Sequence, residues 1–427
     1  MNAQKRYARG AATLAMLAIA ALGLSGCTPP ADAAIDGHGQ LSSAFDAATT
    51  EKLNAALADG IAWSASSGGI AEVWAPWGGK WVVGSGTTSI GGAAPMKADM
   101  HFRIGATTRP MTCTVLLKLV DAGEVKLDDH VSKYLTRMPD AEDFTLGELC
   151  QNTSGIADYT GNLSTQFVNN PTRVWPPVEV LSTGLAKERT GAPGAGWADS
   201  NSGFVLLGLA LEAATHQSWD ELYEQYIFEP VGMDDTSLPA RDDFSLPSPA
   251  PRGYAAGTNA DGSRACDPMR DDTALSSSMF WVAGGVVSTV NDLSKWARTV
   301  AEGSLLSEKS AKAQWTTVPQ GASAASWQGY GLGVQQLGPM RGHSGAIPGF
   351  LTAALADPDS GLTVVLMLNN STAGAGFAES LAERFVSIAA QAPAVGSAKT
   401  PSLEVPWSEE QAAAAMQAGA VCQPPAG

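Results

Sequence analysis

Positive charge is scarce in this 427-residue chain, which carries 26 Lys and Arg against 42 Asp and Glu for a formal net charge of −16. Nucleic-acid binding rests on neutralising phosphates with basic side chains, and no basic run or stripe offsets the deficit, so nucleic acid is excluded as a partner. Histidine is scarce too. The five, His38, His101, His130, His216 and His343, are scattered, with no pair at helical ligand spacing and no Cys-x-x-Cys, so no metal and no other cofactor is expected. No apolar run reaches the ~20 residues that cross a bilayer as a helix, and no internal repeat is present. Charged residues amount to only 16% and hydrophobic ones to 44%, which leaves material for a large core and excludes global disorder.

What is present begins with an export signal. Lys5, Arg6 and Arg9 form a positive segment, Ala11 to Leu24 an apolar one too short to span, and Leu24-Ser25-Gly26-Cys27 resembles the lipobox of bacterial lipoproteins. The resemblance implies that residues 1–26 are a signal peptide and that Cys27 becomes the acylated N-terminus. Removing three basic and no acidic residues leaves a mature chain of 401 with a charge of −19. The expectation is an exported protein, lipid-anchored to the outer face of the bacterial cell membrane, where two or more acyl chains suffice for stable anchoring. Residues 27–44, with Thr28-Pro29-Pro30 followed by Ala, Gly and Asp, read as the tether.

Export permits oxidation of the remaining cysteines, Cys113, Cys150, Cys266 and Cys422. Four cysteines allow three pairings. The working pairing is Cys113–Cys150 with Cys266–Cys422, and four buried thiols are the alternative.

Apolar spacing predicts a helix over 43–67, strands over 70–77 and 80–84 joined at Gly78-Gly79, a short extended run at 100–104, and a helix from Thr108 to Asp121. Residues 125–310 read as helices and Gly/Pro/Ser/Asp-rich loops. Strands return at 330–337, 340–343, 350–356 and 362–368, and 378–390 closes the pattern as a helix. The fold class is therefore α+β: an antiparallel sheet built from both termini and flanked by helices, with a mostly helical inserted subdomain and a cleft where the two meet. The folded domain spans 45–392. The tail 393–427, rich in Ala, Pro and Gln, is expected to be poorly ordered unless Cys422 pins it.

Eight strings then occur in order over residues 45–390: Phe102-Arg103-Ile104-Gly105, Leu119-Val120-Asp121-Ala122-Gly123, Leu127-Asp128-Asp129-His130-Val131, Thr153-Ser154-Gly155-Ile156, Ser200–Gly208, Ile227–Met233, Ala283–Thr289 and Gly342-His343-Ser344-Gly345. Together they resemble the serine β-lactamase and D-Ala-D-Ala carboxypeptidase family, in particular its class C-like penicillin-recognising branch. The resemblance implies the β-lactamase/transpeptidase-like fold and a serine-type site.

The chemical residues depart from it. The family's Ser-x-x-Lys, one helical turn apart so that the Lys manages the Ser proton, falls on Ala106-Thr107-Thr108-Arg109. Ala106 has no oxygen with which to form an acyl-enzyme, and Arg109 is too basic to accept a proton. The family's Tyr-x-Asn falls on Asp199-Ser200-Asn201, so Asp199 replaces the Tyr. Lys/His-x-Gly on an edge strand survives as His343-Ser344-Gly345. The expectation is a catalytically inactive member with degenerate positions Ala106, Arg109 and Asp199, in which Arg109 and Asp199 pair across the former catalytic centre.

What the resemblance leaves is binding. The backbone N–H groups of Ala106 and Ala346 would persist as an oxyanion hole, Asn201, His343, Ser344, Gly345 and Ala346 would form the cleft, and Arg109 would add a positive charge. A carboxylate-bearing cell-wall peptide, derived from peptidoglycan, or an envelope protein is the expected partner. The alternative is an active serine-type hydrolase (a D-Ala carboxypeptidase, β-lactamase or esterase) with a non-standard mechanism. Thr107 or Thr108 as a shifted nucleophile, Asp199 with His343 activating water, and a nucleophile elbow at Gly342–Ala346 are its possible forms. Trp175, Trp197, Trp281 and Trp327 are candidates to line the cleft.

Overall fold

The run Gly68–Ala75 is apolar at nearly every position, the pattern of a strand covered on both faces. In the computed structural model of the chain, which describes residues 44–138 and 143–423, all eight of its residues are buried. The signal segment, Cys27 and nearly all of the tether lie outside the described residues. Helix α1 (Ala47–Trp63) leads into β1 (Gly68–Ala75) and β2 (Gly79–Gly86). Pro76, which has no N–H to give to a ladder, ends β1 two residues before the expected boundary. The turn is Pro76–Gly78, with Ala75 opposite Gly79.

The chain then leaves the sheet for the helical insert. This contains α2 (Arg109–Asp121), α3 (Leu146–Cys150), α4 (Asn201–Thr215) and α5 (Val290–Glu302), with further helices at Thr160–Asn169 and Pro177–Leu185 and a two-stranded hairpin, Tyr254–Thr258 with Arg264–Asp271, where only helices and loops are expected from the sequence. The return supplies β3 (Val318–Pro319), β4 (Gln328–Tyr330), β5 (Gln335–Leu337), β6 (Met340–Ile347), β7 (Phe350–Ala356) and β8 (Thr363–Leu368). The eight strands form one antiparallel sheet in the order β2-β1-β8-β7-β6-β5-β4-β3, so strands from the two ends of the domain meet at β1–β8. Alternate residues serve two cores, as the period of two along a strand requires. Ala353, Leu355, Val364 and Leu366 pack with α1 and α6 (Ala375–Ala390), while Ala354, Ala356, Val365 and Met367 pack toward the insert.

Three expectations are corrected. The run 330–337 is not one strand. Gly333 adopts φ +70° and donates its N–H to the Cys150 carbonyl at 2.9 Å, and a side chain there would come within 2.7 Å of the Arg109 carbonyl oxygen. The bend presses this loop onto α2 and leaves Tyr330 and Gln335 on either side of it. The run 340–343 continues to Ile347, and its strand is not the last in the sheet. Finally, the described part of the tail is ordered: α7 (Glu409–Ala418) is opened by a capping box between Ser408 and Gln411 and buries Met416 and Ala412 against α6. Cys422 does pin it, through a disulfide to Cys266, and Cys113 pairs with Cys150. Among the described residues no helix is long and apolar enough to cross a membrane.

Candidate functional site

Two local features build the floor of the cleft. A tight turn, Gly105–Thr108, precedes α2. Gly105 has φ +55°, and a side chain on it would meet the Ala346 backbone at 2.9 Å, so glycine lets this turn lie against β6 and sets Ala106 beside Ala346. Opposite, Ser200 caps α4 by accepting from the Gly203 N–H at 3.3 Å. Asp199 is thereby fixed just ahead of a helix N-terminus, where its charge is favoured.

Arg109, 3% exposed, crosses from α2 to Asp199. One guanidinium nitrogen donates to Asp199 Oδ1, and the other lies 3.5 Å from Oδ2 and donates to Asn201 Oδ1 at 3.1 Å. The Arg109 guanidinium also lies over the Phe204 ring, 4.9 Å from its centroid. The expected ion pair is thus present. Burial works against the Arg109 charge, but Asp199 and Tyr330 together hold its pKa above the usual value. Burial likewise works to raise Asp199, and Arg109 holds the carboxyl below the ordinary range. Asn152, a residue the motifs did not single out, supports the pair. It occupies the left-handed region at φ 56°, donates to Asp199 Oδ1 at 3.3 Å and accepts from the Ser200 N–H at 3.3 Å.

His343 is buried, and both of its ring nitrogens are engaged. Nδ1 faces the Ser344 carbonyl, which only accepts, so Nδ1 carries the proton and Nε2 accepts from the Tyr330 hydroxyl at 3.2 Å. Burial first, then Arg109, push its pKa down to about 3, so the ring is neutral at neutral pH. Ser344 is engaged as well. Its N–H and its hydroxyl both point to Gln335 Oε1, at 2.6 and 3.0 Å, and the hydroxyl also lies 3.1 Å from Glu379 Oε2.

The pairing of β6 with β5 ends at Gly342↔Gln335. Past that point the N–H and carbonyl of Ser344, which face away from β7, are met by the Gln335 side chain and the His343 ring. The strand edge is self-capped.

The cavity between these groups has a volume of about 300 Å³ and is lined by Ala106, Arg109, Trp197, Asp199, Gln320, Tyr330, Gln335, His343, Ser344, Ala375, Gly376 and Glu379. A hollow of about 590 Å³ near Phe244 and Arg252 shares none of these residues. Of the expected cleft residues, His343 and Ser344 line the cavity, as do the degenerate Ala106, Arg109 and Asp199. Asn201, Gly345 and Ala346 do not. Asn201 stands behind Arg109, its amide donating to Asp158 at 3.2 Å.

Of the four tryptophans, Trp197 lines the cavity and packs on Tyr330, Trp175 and Trp281 are buried in the core, and Trp327 packs on Trp407. Gln320, Tyr330, Gln335 and Glu379 went unrecognised in the sequence. Glu379 left a trace, since Glu379, Glu383 and Ser387 form an i, i+4 polar row on the closing helix, beside the polar Ser380 and Arg384.

The structure also places the residues of the rival chemistries. Thr107 and Thr108 are buried, with hydroxyls turned to Thr352 and to the Val286 N–H. His343 makes no hydrogen bond to Asp199, and residues 342–346 run through a strand where an elbow needs a helix. The positive charge expected to draw a carboxylate is neutralised by Asp199. Among the described residues, no three His, Cys, Asp or Glu side chains are grouped to hold a metal ion.

Known proteins share this fold. A family profile described as Beta-lactamase matches residues 54–386. The chain is 28% identical over 313 residues to the D-alanyl-D-alanine-carboxypeptidase/endopeptidase AmpH of Escherichia coli (strain K12), covering 67% of this chain and 75% of that protein. It is 27% identical over 282 residues to a D-aminopeptidase of Brucella anthropi, covering 64% of this chain and about half, 51%, of that one. Among solved structures, a D-stereospecific amidohydrolase from Streptomyces sp. superposes with a TM-score of 0.66 at 29% identity, over 76% of this chain and 94% of that one. The β-lactamase profile covers most of the folded domain and the relatives carry its fold; this chain belongs to the β-lactamase family of serine penicillin-recognising proteins.

Proposed function

We propose that this chain is a catalytically silent member of its family, anchored by lipid on Cys27 at the outer face of the cell membrane, whose cleft binds a small cell-wall-type peptide. The observation that carries the reading is the replacement at the catalytic centre. Ala106 supplies no hydroxyl, and the place of a proton-accepting Lys and its Tyr partner is filled by the Arg109–Asp199 pair. A guanidinium held charged by a carboxylate accepts no proton, and loss of a nucleophile alone removes many orders of magnitude of rate. The cavity of about 300 Å³ is at the lower end for ligand sites, the size of a short peptide. The relatives named as a carboxypeptidase and a D-aminopeptidase support peptides as the ligand class.

The test is labelling with a fluorescent penicillin alongside hydrolysis of a chromogenic cephalosporin. The wild type is expected to be inert in both, and Ala106→Ser with Arg109→Lys and Asp199→Tyr to gain labelling. Stable acylation of the wild type at a mapped residue sinks the reading and returns the chain to the active hydrolases.

A further inference from the structure

The charges lining the cleft do not match a carboxylate-bearing ligand. Arg109 is the one cation among the lining residues, and its guanidinium is bound by Asp199 and Asn201. His343 is neutral, its two ring nitrogens held by Tyr330 and the Ser344 carbonyl. Glu379 remains. Its Oε2 lies 3.1 Å from the Ser344 hydroxyl and 3.4 Å from the Gln335 amide, both neutral groups, and among the described residues no Lys, Arg or His pairs with it within 4.0 Å. Burial pushes its pKa up despite those hydrogen bonds, as expected for a carboxylate with no cation beside it. With Arg109 and Asp199 cancelling, an ionised Glu379 leaves the cavity one uncompensated negative charge.

Two helix N-termini bear on the same space, the turn at Ala106 before α2 and Ala375-Gly376 at the start of α6. A helix terminus contributes about half a unit of positive charge through its N–H groups. That suits a neutral carbonyl oxygen. It does not match the full charge of a free carboxylate while a carboxylate side chain shares the cavity.

We propose that the cleft selects an amine-bearing, carboxylate-blocked ligand, an amino-acid amide or the N-terminal end of a short peptide, and that Glu379 is the residue that binds its ammonium group. This rests on the reading of the site as a ligand cleft. Gln335 and Ser344 orient the carboxylate, and the ammonium supplies the counter-charge that the fold withholds. The proposal reverses the polarity expected from Arg109 alone.

The test is isothermal titration calorimetry of the full chain at neutral pH with two probes. D-alanyl-D-alanine amide carries an amine and no carboxylate, and N-acetyl-D-alanyl-D-alanine carries the reverse. The amide is expected to bind at least about tenfold more tightly, the scale of one partly desolvated charge contact. Glu379→Gln, nearly isosteric, is expected to remove that advantage while leaving the thermal transition in place. Glu383→Gln, one turn further along and outside the cavity lining, is expected to leave it intact.

Tighter binding of the N-acetylated acid, or an amide affinity untouched by Glu379→Gln, overturns the amine assignment and keeps the ligand cleft. Binding of neither probe at millimolar concentration overturns both. Release of ammonia from the amide overturns catalytic silence and leaves the selectivity standing.

Discussion

Arg109 and Asp199 form an ion pair of unequal burial: the Arg109 side chain is 4% exposed and that of Asp199 48%. The cation therefore depends on the anion far more than the reverse. Removing Asp199 leaves a buried charge whose other partners are the Asn201 amide oxygen, the Phe204 ring and the Tyr330 hydroxyl. Asp199→Ala is expected to cost about 3 kcal/mol, the lower end for breaking a buried pair because Asp199 is itself half in water. Replacing both partners by apolar residues, Arg109→Met with Asp199→Leu, is expected to cost less than that single change. Urea denaturation of the three proteins checks this, and a double variant less stable than Asp199→Ala refutes it.

The disulfides differ in what they hold. Cys113–Cys150 closes 37 residues and ties α2, one turn beyond Arg109, to the segment that carries Asn152. Chain-entropy arguments give about 4 kcal/mol for a loop of that length. Cys113→Ser with Cys150→Ser should destabilise the insert and loosen the Arg109–Asp199–Asn152 contacts together. Cys266–Cys422 closes 156 residues, but on the C-terminal side it secures only the tail. Its removal should expose the segment around α7 to limited proteolysis while the rest resists. Simultaneous loss of both regions would contradict this division.

Local pattern explains which parts were readable beforehand. Strands covered on both faces, such as β1, β7 and β8, announce themselves as apolar runs, and the central helix as an apolar period after Phe102-Arg103-Ile104-Gly105. The ion pair was readable because two substitutions of opposite charge fell on positions that the family resemblance brings together. Tyr330, Gln335 and Glu379 were not, because each reaches the cavity through tertiary placement alone. A bend at Gly333, forced by contact with α2, turns Tyr330 and Gln335 inward, and α6 delivers Glu379 by docking on the sheet. The order of the tail rests on the exception the sequence leaves open, Cys422, while α7 itself is not legible there because its apolar stripe is modest and α6 stabilises it.

Lipid anchoring on Cys27 makes a separate prediction. Metabolic labelling with a fatty acid should mark the full-length chain, which should fractionate with membranes. Cys27→Ser should lose the label and move to the soluble fraction after export, since no described helix spans a bilayer and hydrophobic attachment then rests on the acyl chains. A Cys27→Ser chain that stays with the membrane at high salt would show another means of attachment.

His343 and Glu383 set opposing dependences on pH. His343 has its pKa lowered to about 3 in the fold, by burial and then Arg109, from an ordinary 6.5. Between those values the unfolded chain holds more protons, so this contribution is complete above pH 6.5 and is lost as pH falls toward 3. Glu383 is raised to about 8, by burial and then Glu379 one turn away, from an ordinary 4.5. Here the folded chain holds more protons, so the contribution is complete below pH 4.5 and is lost as pH rises through 8. Glu383→Gln should therefore gain on the wild type between pH 5 and 8.5, by on the order of 2–4 kcal/mol. His343→Gln should gain on it by a similar amount as pH falls from 6.5 to 4. Denaturant titrations across pH measure both differences, and a flat difference for Glu383→Gln would mean that its carboxyl is already ionised and solvated in the folded protein.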